Sequence, residues 1–130
     1  MKQIFFILAI SLLTFSTNSC RKEKDTIGTV IVVNAAQEPV SGVTVRVYCP
    51  EGTCGNGALN EGMDRTDVTN SSGKVTFNYT EQYQLGQAGF AVLDVEVRIT
   101  AGNTNPADAT GVIKIEEEKE NEQTIICQTC

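Results

Sequence analysis

VLDVEVRIT, residues 92–100, alternates apolar and polar side chains along its length. Leu93, Val95, Val97 and Ile99 share one face of an extended chain, and Asp94, Glu96 and Arg98 share the other. Successive side chains of a strand point to opposite faces, so this period of two predicts a strand with a buried face and a wet one. Working outward, the same alternation recurs. Residues 43–48 (VTVRVY) set Val43, Val45 and Val47 against Thr44, Arg46 and Tyr48. Residues 74–79 (KVTFNY) align Val75, Phe77 and Tyr79, and residues 111–116 (GVIKIE) direct Ile113 and Ile115 inward. Residues 29–33 (TVIVV) and 124–129 (TIICQT) are β-branched runs that read as strands, and residues 66–69 have room for a short one.

Turn chemistry separates these runs. Pro39 and Gly42 punctuate the segment after residue 33, and Asn70-Ser71-Ser72-Gly73 reads as a tight turn. Residues 49–65 carry four Gly and one Pro and read as a loop. Residues 80–89 are polar and irregular, 101–108 form a loop, and 117–122 an acidic turn. About seven short strands without a convincing helix predict an all-β fold, an antiparallel Greek-key β-sandwich. A parallel sheet would require crossover helices, and none is visible.

The front of the chain is of another kind. Lys2 precedes an apolar run, residues 4–15 (IFFILAISLLTF), too short to span a bilayer and of the length of a signal-peptide core. Thr17 and Ser19 stand at the third and first positions before Cys20, as a signal peptidase requires. Ser19-Cys20 resembles the lipobox of bacterial lipoproteins, in which a Cys just after the cleavage site is acylated. Thr17 departs from the apolar residue usual in that family. The resemblance implies a signal peptide over 1–19, lipidation of Cys20, a polar tether over 20–27 (Arg21-Lys22-Glu23-Lys24-Asp25) and a sandwich domain over 28–130. The implied localisation is the outer membrane of a Gram-negative cell envelope, on its periplasmic or surface face.

Removing residues 1–19 leaves 111 residues with nine basic and sixteen acidic side chains, a net charge of −7. An acidic chain without a basic cluster argues against nucleic acid as a partner. There is no His, so Ser-His and Cys-His catalysis and His metal sites are excluded, and there is no Trp. Asp64, Asp67 and Asn70 do not have the spacing of an EF-hand loop. No catalytic residue, cofactor or metal site is assigned, and the chain is expected not to be an enzyme.

Two stretches together, VIVVNAAQEPVSGVTVRVY (30–48) and RTDVTNSSGKVTFNY (65–79), resemble the carboxypeptidase regulatory-like, or transthyretin-like (prealbumin-like), domains. Pro39, Val40, Gly42, Val43 and Val45 fit the first motif of that family, and Thr66, Asp67, Gly73, Val75 and Phe77 fit the second. The longer interval between Asp67 and Gly73 and the Cys-bearing loop depart from it. The resemblance implies a β-sandwich scaffold with no catalytic residues of its own.

Five Cys is an odd number for an exported chain, and acylation of Cys20 leaves an even set of Cys49, Cys54, Cys127 and Cys130. An oxidising compartment favours two structural disulfides, with three connectivities open. A long-loop crosslink from the Cys49 loop to the C-terminal strand would contribute about 3 to 5 kcal/mol. The alternatives are a four-thiolate zinc site or a Cys-x-x-Cys redox pair at 127 and 130. The expected role is a lipid-anchored, non-catalytic binding or structural module. Its partners would be the membrane, through a lipid on Cys20, and a protein or glycan ligand met by loops 49–65 and 80–89.

Overall fold

The computed structural model describes residues 22–50, 54, 58–84, 89–100 and 106–130. Cys20 and the signal segment lie outside the described residues. Among the described residues seven strands and two short helices follow one another: β1 Ile27–Val33, β2 Thr44–Tyr48, α1 Ala58–Met63, β3 Arg65–Val68, β4 Lys74–Asn78, α2 Thr80–Gln84, β5 Phe90–Arg98, β6 Ala109–Glu116 and β7 Glu120–Ile126. They form two sheets, ordered β4-β1-β7 and β3-β2-β5-β6. The expected sandwich is therefore the observed one.

The inward sets coincide with the alternating residues. Val45 and Val47 from β2, Leu93, Val95 and Val97 from β5, and Ile113 and Ile115 from β6 are buried against Val30 and Val32 of β1. Ile99 is the exception, 45% exposed, because β5 ends at Arg98 and the chain leaves the sheet one residue earlier. β5 also starts earlier than its clean alternation, at Phe90.

Three further differences concern polar segments. The one-turn helices α1 and α2 occupy stretches read as loops. The acidic turn is shorter than expected, since Glu120 and Glu122 already belong to β7. All but one of the strand pairings are antiparallel; β1 pairs with β7 in parallel, Ile27 opposite Glu120 and Val33 opposite Ile126. Parallel neighbours need a long connection between them, which need not be a helix. Here the five intervening strands supply it.

Gly73 shows why the turn before β4 carries its sequence. Its φ is +70°, and a Cβ there would stand 2.6 Å from the Val32 carbonyl oxygen. The Asn70 side-chain oxygen accepts from Ser72 N–H at 2.9 Å and Lys74 N–H at 3.1 Å, closing the turn in which the extra residues after Asp67 are taken up.

Candidate functional site

Strand directions sort the connections into two ends. β1 runs away from Thr26, with β4 antiparallel and β7 parallel to it, and the short β3–β4 and β6–β7 turns carry that sense to the strands of the other sheet. Lys22–Thr26, Cys49–Pro50, residues 58–64, residues 79–84 with Gly89, and the 117–119 turn lie at one end. The β1–β2 turn, the Asn70–Gly73 turn, residues 99–100 and 106–108, and Cys127–Cys130 lie at the other. The described parts of both loops expected to carry recognition therefore sit beside Thr26; residues 51–53, 55–57 and 85–88 of those loops lie outside the described residues.

The tether joins the fold through a buried latch. Lys22–Asp25 are exposed, and Thr26 is 1% exposed. Thr26 N–H donates to Thr80 Oγ1 at 3.0 Å, its carbonyl accepts from Tyr79 N–H at 2.8 Å, and its Oγ1 accepts from Glu118 N–H at 2.9 Å. Ile27 N–H then donates to the Lys119 carbonyl at 2.9 Å. These bonds lead straight into β1, the central strand of its sheet, paired on both sides.

The cysteines pair locally, Cys49 with Cys54 and Cys127 with Cys130, at Cα separations of 5.8 Å and 5.3 Å. The option of tying the Cys49 loop to the last strand is not taken. Cys49 follows β2 at the tether end, whereas Cys127 follows β7 at the far end, where its N–H donates to the Val33 carbonyl at 2.8 Å. A strand of this length separates the two pairs by about 20 Å. All four sulfurs are bonded in pairs, so they offer no thiolate set for zinc. Among the described residues no three His, Cys, Asp or Glu side chains form a metal-holding group. Cys127 is fully buried, and Cys130 only partly. Attack on Cys130 would expel a Cys127 thiolate into apolar surroundings, which disfavour the charged form. That environment suits a structural staple better than an exchanging redox pair.

Several carboxylates available for acid–base work are held in ion pairs. Asp64 takes a two-pronged bond from Arg46, at 3.0 Å and 2.6 Å. Glu96 pairs with Arg98 at 3.2 Å and accepts from the Tyr48 hydroxyl at 3.1 Å. Glu116 lies between Lys119, at 2.7 Å, and Lys114, at 2.9 Å, which together hold its carboxyl down to about 2. Burial, and next the bond to Glu96, push the Tyr48 phenol up.

Two tyrosines at the tether end differ. The Tyr83 hydroxyl donates to the Ile115 carbonyl at 2.6 Å. Tyr79 is 0% exposed, and among the described residues neither its hydroxyl nor Arg65 Nε has a hydrogen-bond partner. Arg65 Nη2 donates to Gln82 Oε1 at 3.2 Å. Sequence reading did not single out this polar cluster, because Arg65 comes from a strand edge and Gln82 from a helix read as loop. It also passed over Phe90 and Val92, although both share the outward phase of Asp94 and Glu96.

No protein-family model and no curated protein matches the chain. Solved structures do. A streptococcal ancillary pilin superposes with a TM-score of 0.51 at 14% identity, over 80% of this chain and 32% of the pilin. Catechol 1,2-dioxygenase from Pseudomonas arvilla C-1 superposes with a TM-score of 0.51 at 12% identity, over 85% of this chain and 54% of the enzyme. This chain thus spans about a third of one and half of the other. At such identities the likeness concerns architecture alone, and a pilin and an enzyme share it. What the chain has in common with both is the β-sandwich.

Proposed function

We propose that this protein is a lipid-anchored, non-catalytic module of the bacterial cell envelope, built on a transthyretin-like or carboxypeptidase regulatory-like sandwich. The observation that carries the reading is the Thr26 latch. A chain of charged residues passes directly into the central, doubly paired strand β1. Load on a lipid at Cys20 would be shared by two neighbouring strands instead of peeling an edge. Two disulfides support an oxidising compartment. Five residues between Cys20 and Thr26 keep the tether end within about 20 Å of the membrane. The far end, with the Asn70–Gly73 turn and the Cys127–Cys130 terminus, is then presented outward.

The test is the intact mass of full-length protein extracted from membranes of a Gram-negative host, alkylated before and after reduction. A mass beginning at Cys20 with acyl chains, and no thiol reacting until reduction, is expected. An unlipidated chain overturns the anchor, and saturable turnover of a substrate by the purified domain overturns the non-catalytic role.

A further inference from the structure

We infer that the β1–β7 pair is a tension clamp, which makes the domain a load-bearing link between its tether and a partner held at the Cys127–Cys130 end. That load enters through the tether rests on the anchored reading above; the clamp itself does not. β1 and β7 run parallel and side by side over seven residues each, Ile27 opposite Glu120 and Val33 opposite Ile126. The tether enters β1 at Ile27, and the chain leaves β7 past Ile126, at the opposite end. Tension between those two points draws the strands past each other along their own axes. The bonds of a parallel ladder are evenly spaced, so such a pull loads all of them together. A pull on both strands from the same end would open them one at a time.

The ladder is closed at both ends. Ile27 N–H donates to the Lys119 carbonyl at 2.9 Å, and Cys127 N–H donates to the Val33 carbonyl at 2.8 Å. Asn121 Nδ2 adds a bond to the Ile27 carbonyl at 3.0 Å. Slippage is blocked by the core. Val30, Val32 and Ile125 are buried, and a shift of one residue would turn each inward face outward. Ile125 also fills a notch at Gly111 of β6, where an added Cβ would overlap its Cδ1. β1 is gripped from its other side as well, since β4 pairs with it from Ile27 opposite Asn78 to Ile31 opposite Lys74.

The second cystine fits this role. Cys127 and Cys130 are three apart in sequence, and Cys127 is the residue directly after β7, buried, with its N–H on the last rung. A pull on Cys130 reaches Cys127 through the S–S bond without drawing out residues 128–129. So short a bridge constrains the unfolded chain little compared with a long-loop crosslink. Under tension it does something else, delivering the load at the end of the ladder.

The experiment is optical-trap unfolding of the disulfide-intact chain, residues 20–130, at one loading rate and in two geometries. Cys20→Ser keeps lipid out of the measurement. A single chain carries a peptide tag before residue 20, another after Cys130, and a thiol handle at Glu117→Cys, an exposed position in the turn beside Thr26. Both pulls therefore act on a protein of the same stability. Between the two tags β1 and β7 are sheared. Between the first tag and residue 117 they are unzipped from the Thr26–Glu118 bond onward. The unfolding force between the tags should be higher by about twofold or more and should appear as a single step, because the ladder bonds then resist together. Equal forces in the two geometries overturn the clamp. So does a step between the tags that frees β7 at low force before the rest unfolds. Failure of the acylation test would remove the anchor and leave this measurement unaffected.

Discussion

Removing one oxygen from each of two buried tyrosines should shift stability in opposite directions. Tyr79 is 0% exposed, and its hydroxyl has no hydrogen-bond partner among the described residues. Burying a hydroxyl without a partner costs about 1 to 3 kcal/mol. Tyr79→Phe keeps the ring and its tilted contact with Phe77, at 6.4 Å between centroids. The loss of one oxygen's packing offsets part of the gain, which leaves a stabilisation of about 1 kcal/mol. Tyr83→Phe deletes the 2.6 Å bond to the Ile115 carbonyl and should cost about 1 to 2 kcal/mol. The two variants should then differ by about 2 to 3 kcal/mol. Urea unfolding reads this as midpoints displaced to opposite sides of the parent at an unchanged slope. For a domain of this size 1 kcal/mol corresponds to about 4 to 8 °C in Tm. Equal losses in the two variants would refute the reasoning, because the Tyr79 hydroxyl would then have to be hydrogen-bonded.

Other consequences follow from the same structure. Burial pushes the Tyr83 phenol up to about 12 and raises Tyr79 further. A raised folded-state value means that stability is intact below the unfolded value of 10 and is lost as pH rises from there through 12. Urea midpoints between pH 9 and pH 11.5 should fall less steeply in the Tyr79→Phe, Tyr83→Phe double variant. Gly73→Ala should cost clearly more than Gly42→Ala in thermal melts. Both have positive φ, +70° and +75°, but only Gly73 has backbone within 3.0 Å of a new Cβ, while Gly42 has nothing within 4 Å. About 1 kcal/mol is expected at Gly42 and about 2 kcal/mol or more at Gly73. Replacing either cystine by an Ala pair should cost about 2 kcal/mol on the chain-entropy estimate, less than a long-loop crosslink would, because the bridged residues are only five and three apart in sequence.

Much of the fold was legible because a strand's period of two is local. Leu93, Val95 and Val97 announce a buried face without knowledge of what buries them. The same locality made Gly42 and Gly73 readable as turn residues. The segments that misled are those whose state is set by neighbours. Thr80–Gln84 forms a helix although its composition reads as loop. It is fixed there by packing, with Tyr83 and Gln82 buried. Glu120 and Glu122 extend β7 because its backbone pairs with β1, a partner over ninety residues away. Their own charge gave no sign of it.

The candidate surfaces divide in the same way. Composition and spacing were enough for the alternating faces, the acidic balance, the absence of His and the even set of Cys49, Cys54, Cys127 and Cys130, since each can be counted along the chain. The cystine pairing and the parallel β1–β7 contact emerged only on folding. They depend on which strands become neighbours and in what register, and register is a long-range outcome of burying every inward face at once.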